Sequence, residues 1–268
     1  MKNKVVIITG ASSGIGKACA EKFGNEGAKL VITGRNAANL EDIASWLIQK
    51  GVEVLSVVSD VAVATDCKRI IDETIAKFGK IDVLINNAGI SMRAILNDTE
   101  LSVIEQVMQI NFFGTLYCTK YALPHLLKEK GSVVGVSSIA GFVGLPGRTG
   151  YSASKFAMQG FLEALRTENI KKGLHVMIAC PGFTASNIRN TALAADGSAQ
   201  GESPREEDKM MTAEEVATHI YNGVVNRKRQ VVLTAQGKLV VFLSKFFPAF
   251  VSKMVYNTMA KEPNSPLS

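Results

Sequence analysis

Short, apolar, β-branched runs alternate with helix-length amphipathic segments from the first residues onward. Val5–Thr9, Lys29–Thr33, Val52–Val58, Val83–Asn86, Ser132–Ser137 and His175–Ala179 read as strands, with Val231–Leu233 as a short seventh. Several are apolar at nearly every position, the pattern of strands buried on both faces of a parallel sheet. Between them, Ile15–Gly24, Asn39–Gln49, Thr65–Phe78, Leu101–Lys130, Ser152–Lys172 and Ala213–Asn226 carry helical spacing. Gly27, Gly51, Gly79 and Gly173 stand where helices should stop. This alternation predicts an α/β fold: a doubly wound parallel sheet of about seven strands with helices on both faces.

One connection breaks the rhythm. Cys180–Met211 shows no convincing element, and Ala195–Asp208 is rich in Gly, Ser, Asp and Glu. Structureless loops longer than about 12–15 residues are uncommon inside compact domains and often close over ligands. Residues 183–211 are therefore expected as a mobile substrate lid above the carboxyl edge of the sheet, where open α/β folds bind ligands. Residues 1–236 read as one domain and 237–268 as an extension.

Composition changes this picture little, and charge changes it more. The chain is 47% apolar and 20% charged, which excludes disordered and collagen-like classes. Cys19, Cys67, Cys118 and Cys180 are widely spaced with no C-x-x-C, so neither a disulfide framework nor a metal site is expected. They suit buried positions in a reducing compartment, and no leader or spanning segment is evident, so a cytoplasmic protein is expected. The net charge of +6 lies wholly in the last stretch. From Arg227 onward seven Lys or Arg face Glu262 alone, while residues 1–226 are balanced. A neutral body argues against a nucleic-acid binder, which would spread basic residues over the folded surface.

Thr9-Gly10-Ala11-Ser12-Ser13-Gly14-Ile15-Gly16 joins the first strand to the first helix. Such a turn needs residues without Cβ, both for positive φ and for close approach of a phosphate to backbone N–H groups. The following helix would turn its positive end to that phosphate. The rival motif G-x-x-x-x-G-K-[ST] fails: Gly10 and Gly16 are one residue too far apart, and Ala18 follows Lys17. The reading is a dinucleotide site in a Rossmann-type sheet. At the end of the second strand, Gly34-Arg35-Asn36 lacks the acidic residue that would accept a ribose 2′-hydroxyl. Arg35 suits a 2′-phosphate, so NADP(H) is expected over NAD(H).

Tyr151 and Lys155 lie four apart on one predicted helix face. A nearby ammonium favours phenolate, so Tyr151 could exchange a proton with a carbonyl or alcohol oxygen near neutral pH. About thirteen residues before the tyrosine, Ser137-Ser138-Ile139-Ala140-Gly141 ends another strand and could offer a hydroxyl to the same oxygen.

With these motifs in order, the sequence resembles the short-chain dehydrogenase/reductase family over about residues 4–235. The resemblance rests on Thr9–Gly16, Asp60-Val61, Asn86-Asn87-Ala88-Gly89, Asn111, Ser138, Tyr151, Lys155 and Pro181-Gly182. It implies an acid/base role for Tyr151 and a hydrogen bond from Ser138 to the reacting oxygen. Lys155 would bind the nicotinamide ribose and lower the Tyr151 pKa, and Asn111 would hold a water that returns protons. Gly10, Ser12, Ser13, Gly14, Ile15, Gly16, Arg35, Asp60, Val61, Asn87, Pro181, Gly182 and Thr184 would line the cofactor, Asp60 and Val61 beside the adenine and Asn87 beside its ribose. Asn86 would tie the sheet together. The chain departs from the family pattern at Phe183-Thr184-Ala185-Ser186, where Ser186 would replace a threonine hydroxyl and Thr184 alters the pocket floor. The resemblance also implies pairing through the long helices, as homodimer or homotetramer.

The extension carries Phe242, Phe246, Phe247, Phe250 and Val251 beside Lys238, Lys245 and Lys253, with Pro248 expected to split it into two helices. Such a segment suits an anionic membrane surface, or docking over the chain's own cleft or a second subunit. Either placement favours a lipophilic substrate. The leading expectation is an NADP(H)-dependent carbonyl reductase/alcohol dehydrogenase acting on a bulky, steroid- or lipid-like substrate. The alternatives are 3-oxoacyl-carrier-protein reduction and, from a different class, an NADP(H)-sensing module without turnover.

Overall fold

Seven parallel strands stand in the order β3-β2-β1-β4-β5-β6-β7. The computed structural model describes residues 1–185, 187–201, 203 and 210–267. The strands are β1 Val5–Thr9, β2 Lys29–Gly34, β3 Val54–Val58, β4 Val83–Asn86, β5 Ser132–Val136, β6 His175–Cys180 and β7 Gln230–Val232. The helices are α1 Gly14–Asn25, α2 Ala37–Gln49, α3 Ala64–Phe78, α4 Leu101–Met108, α5 Gly114–Lys128, α6 Thr149–Glu168, α7 Ala213–Val225, α8 Ala235–Phe246 and α9 Pro248–Ala260.

Alternation along β1 shows why the central strands are apolar throughout. Val6 and Ile8 pack among side chains of α1, α2 and α7, whereas Ile7 joins side chains of α3, α5 and α6 on the other face. Each strand position thus has an apolar partner, which forces a doubly covered sheet. The four cysteines are free and buried, as small core residues. No helix among the described residues is long and apolar enough to cross a membrane.

The single long helix expected over Leu101–Lys130 is instead α4 and α5 joined by a π-helical turn, Gln109–Phe113. The periodicity of apolar positions cannot register one inserted residue of this kind. Its interior residue, Asn111, is fully buried. The connection after β6 also gains order. Residues 192–200 fold back through Leu193 and Ala199, and Leu193 bridges to Met92. Leu193 N–H donates to the Ser91 carbonyl at 2.9 Å and Arg93 N–H to the Leu193 carbonyl at 2.8 Å, anchoring this part of the loop to the segment after β4.

Pro248 opens α9 at its first turn, where its missing N–H costs nothing. Before it, α8 runs from Ala235 to Phe246. Val251, Val255 and Met259 of α9 are buried against Val143, Phe142 and Leu145, so this helix docks on the chain's own body beside the segment between β5 and α6. Phe242, Phe246, Phe247 and Phe250 remain 58–63% exposed. The segment thus has an inward face and a separate outward one.

Candidate active site

All seven strands run the same way, so their carboxyl ends share one edge, and β1 and β4 are neighbours there although β2 and β3 intervene in sequence. The connections from β1 and β4 leave in opposite directions, which opens a crevice between them. Thr9, the last residue of β1, closes its floor: its Oγ1 accepts from the N–H groups of Asn87 and Ala88, both at 3.0 Å. The Asn87 amide donates back to the carbonyls of Thr9 at 3.0 Å and Gly10 at 3.1 Å. Asn87, read as a ribose contact, therefore spends its Nδ2 on holding the glycine loop.

The loop itself needs its glycines. Gly10 sits at φ +64°, and a Cβ there would lie 2.7 Å from Ala88 Cα. A Cβ on Gly16 would run into the Gly10 carbonyl and the Asn87 amide. Ser13 precedes α1 without capping it, so the first-turn N–H groups keep no side-chain acceptor from that residue. A tight cradle ending on an open helix N-terminus fits a dinucleotide pyrophosphate. Arg35 is exposed at the edge of the same cleft, near Gly34, which packs on Ser12. Asn36 caps α2 by accepting from Asn39 N–H at 3.0 Å, so no carboxylate stands at this turn. Asp60 and Val61 line the cleft on the β3 side, where Asp60 Oδ1 accepts from Ala62 N–H at 2.9 Å.

At the other end of the cleft, which encloses about 440 Å³, Ser138, Tyr151 and Lys155 come together. Ser138 Oγ caps the short turn after β5 by accepting from Ala140 N–H at 3.2 Å, and its hydroxyl favours the phenolate form of Tyr151. Ser137 points elsewhere, accepting from Gln159 Nε2 at 3.0 Å, which leaves Ser138 as the serine at the phenol. Lys155 is buried, with its Nζ donating to the Val136 carbonyl at 2.9 Å and lying 5.7 Å from the centre of the Tyr151 ring. Asn111 does not reach the cleft wall freely. Its Oδ1 accepts from Ile90 N–H at 2.8 Å, and its Nδ2 donates to the Ile90 carbonyl at 3.0 Å and Ser154 Oγ at 2.9 Å. It clamps the Gly89–Ile90 segment beside Lys155, with a Cβ on Gly89 falling 3.1 Å from Asn111 Oδ1 and 3.5 Å from Lys155 Nζ.

Burial acts on the two ionisable groups in opposite senses. It pushes the Tyr151 phenol above its ordinary value, against the Ser138 hydrogen bond and the positive charge of Arg148, both of which favour phenolate. It pulls the Lys155 ammonium down to about 8. Pro181, Gly182 and Thr184 also line the cleft, and Thr184 Oγ1 donates to the Gly182 carbonyl at 3.3 Å. Ser186 lies outside the described residues.

Two features around the site escaped the sequence reading. Arg148 is buried on the cleft wall and pairs at 3.0 Å with Glu262, more than a hundred residues away. Thr234 holds φ +66°, a conformation that a β-branched residue rarely adopts, and its methyl lies against Gly182. Its Oγ1 accepts from Gly237 N–H at 3.0 Å to start α8, so the strained turn joins the extension to the cleft floor. Neither has a local motif; a non-glycine at positive φ leaves no signal in a single sequence.

A parallel sheet with a glycine cradle at its switch point, and Ser138, Tyr151 and Lys155 gathered at the same edge, is the arrangement of a nicotinamide-dependent oxidoreductase. The chain matches the family model described as short chain dehydrogenase over residues 4–197. It is 36% identical over 274 residues to dehydrogenase/reductase SDR family member 7B of Mus musculus, spanning 100% of this chain and 85% of the mouse protein. It is 44% identical over 187 residues to 11-beta-hydroxysteroid dehydrogenase-like 2 of Arabidopsis thaliana, covering 69% and 60% of the two chains. A short chain dehydrogenase/reductase from Burkholderia phymatum, solved in complex with NAD, superposes with a TM-score of 0.82 at 26% identity, over 93% of this chain and 95% of that one. An alcohol dehydrogenase from Thermococcus sibiricus shares the fold, with a TM-score of 0.76 at 23% identity over 87% and 96% of the chains. The chain belongs to the short-chain dehydrogenase/reductase family.

Gly16→Ala should weaken NADPH binding at least about tenfold, because the added methyl displaces the Gly10 carbonyl and with it the phosphate cradle. Quenching of intrinsic fluorescence on titration with NADPH measures this. Binding equal to wild type would show that the loop does not hold the cofactor.

Proposed function

We propose that this enzyme interconverts a secondary alcohol and a ketone with NADP(H), on a bulky, lipophilic substrate. The observation that carries the reading is the convergence of Ser138, Tyr151 and Lys155 in one cleft with the glycine loop. A nicotinamide bound there supplies or accepts the hydride. In the reducing direction, Tyr151 gives its phenolic proton to the substrate oxygen while Ser138 hydrogen-bonds that oxygen; in the oxidising direction the phenolate takes the proton back. Lys155, near its midpoint at about 8, is able to exchange protons at physiological pH and to hold the cofactor ribose. Asn111 keeps Gly89–Ile90 against it rather than acting on the substrate.

Arg35 supports NADP(H). It is exposed at the adenine end and makes no hydrogen bond or ion pair with the described residues, and no carboxylate competes for a 2′-phosphate there. The substrate end is lined by Ile90, Ile110, Leu145, Phe183, Ile188 and Leu193, which favours an apolar body around the reacting carbon. The hydroxysteroid activity named for the Arabidopsis relative is in keeping with that lining. Residues 183–211 would act as the lid over this end, and partly buried rings on α5 and α6, Tyr117 and Phe161 among them, suit pairing of two copies.

The outward face of the extension supports contact with an anionic membrane. Leu239, Phe242, Phe246, Phe247 and Phe250 are exposed beside exposed Lys238, Lys245 and Lys253. An apolar face flanked by cations is what an interfacial helix presents.

Tyr151→Phe should abolish turnover in a screen of ketones with NADPH, while the affinity for NADPH stays within about twofold, since the phenol oxygen transfers the proton without anchoring the cofactor. Comparable turnover in the variant would remove Tyr151 from the chemistry, and no turnover in wild type across the screen would favour the sensing-module reading. Arg35→Asp should lower the ratio of kcat/KM for NADPH over NADH by about tenfold or more, as a 2′-phosphate then faces a like charge. A wild type that prefers NADH sinks the NADP(H) reading. Replacing Phe242, Phe246 and Phe250 together by Ser should abolish co-sedimentation with anionic liposomes, at about 1.5–3 kcal/mol per buried ring and about 1 kcal/mol per nearby lysine. Wild-type protein that ignores such liposomes excludes the membrane contact.

A further inference from the structure

Arg148, on the cleft wall, belongs to a buried charge cluster that the proton-transfer reading leaves unused. Glu262, in the segment after α9, accepts from Arg148 at 3.0 Å and lies 3.6 Å from Arg93. The side chains of Arg93, Arg148 and Glu262 are 5%, 11% and 4% exposed. Arg93 also donates to the Pro263 carbonyl at 2.6 Å, and Arg148 Nη1 lies 3.2 Å from Met259 Sδ.

Arg148 is also tied to the helix that carries the tyrosine. It caps α6, its carbonyl accepts from Ser152 N–H at 2.9 Å, and Leu145 N–H donates to Ser152 Oγ at 3.0 Å. Tyr151 follows three residues later in the first turn, so both side chains lie on one helix end and line the same cleft. We propose that Arg148, seated by Glu262 of the C-terminal segment, is a positioning residue for Tyr151: it supplies the fixed positive charge that keeps the phenol able to give up its proton. The proposal rests on Tyr151 being the acid/base.

The groups that face the phenol make the need for such a charge plain. The Ser138 hydroxyl comes from the turn after β5, the Cys180 thiol from the end of β6, and Lys155 and Arg148 from α6 itself. Cys180 is pushed up to about 12 by burial and is neutral throughout the working range. Lys155, pulled down to about 8, loses its charge as the pH rises toward the range in which phenolate forms. A guanidinium keeps its charge throughout. Buried ion pairs add little net stability, so a cluster that orders an arginine beside the acid/base has a better account as positioning than as a staple.

The test reads the phenol directly, without substrate or cofactor. Phenolate absorbance of the full-length protein is followed across pH, and the Tyr151→Phe titration is subtracted to isolate Tyr151. In Arg148→Gln, which keeps amide donors for Glu262 but not the charge, the Tyr151 midpoint should move to higher pH, with about a tenfold fall in phenolate at a given pH. Arg148→Lys should restore it to near wild type. Arg148→Met is the second neutral variant should the glutamine protein not fold. A midpoint unchanged in a folded neutral variant overturns the proposal, even if its thermal stability falls. If that happens while Tyr151→Phe is inactive, the acid/base reading stands and only this inference fails.

Discussion

The carboxyl ends of β1 and β4 are held together by one hydroxyl, and the cleft follows from it. Thr9 Oγ1 satisfies the N–H groups of Asn87 and Ala88, which would otherwise be left without partners at the end of a buried strand. The Asn87 amide then fixes the carbonyls of Thr9 and Gly10, so the glycine loop and the segment after β4 cannot move independently. The order runs on through Gly89 and Ile90 to Asn111, and from Asn111 to Ser154, next to Lys155. Cradle and proton-transfer cluster are therefore two ends of one hydrogen-bonded path, with the sheet's switch point between them.

Burial gives this site its chemistry and its main difficulty. An exposed tyrosine and lysine would titrate near 10, far from the pH at which the reaction must run. Desolvation brings Lys155 to about 8 but drives the phenol the other way. The Ser138 hydroxyl and the Arg148 charge oppose that rise, and the positive end of α6 adds to them because Tyr151 lies in its first turn. The family pattern names a lysine as the residue that tunes the tyrosine. Here Lys155 Nζ donates to the Val136 carbonyl and lies 5.7 Å from the ring centre, and Arg148, an arginine outside that pattern, lines the same cleft.

What the sequence made legible follows from the range of the forces involved. The strands were readable because burial on both faces leaves a local apolar run, and the glycine loop because a missing Cβ is a local requirement at Gly10 and Gly16. That Ser138, Tyr151 and Lys155 share one cleft was legible through spacing and resemblance. The π turn at Asn111 was not, since its cause is an amide clamped to Ile90, twenty-one residues earlier in the chain. Arg148 was missed because its partner is Glu262, and Glu262 read from composition was merely the lone acid in a basic tail. The fold-back at Leu193 depends likewise on Ser91 and Arg93. Contacts between remote segments leave no periodicity to read.

The extension was expected on an anionic membrane, over the chain's own cleft or against a second subunit, and the structure gives it one face buried on the body and one exposed. Val251, Val255 and Met259 are spent on the body, and Glu262 on Arg93 and on Arg148 of the cleft wall. The four phenylalanines point away from that contact, beside lysines that nothing acidic in the extension offsets. A surface-bound α8 would therefore sit on a segment whose other end seats Arg148. Because α8 starts at the strained Thr234 against Gly182, any displacement of the extension is felt at the cleft floor and the cleft wall together.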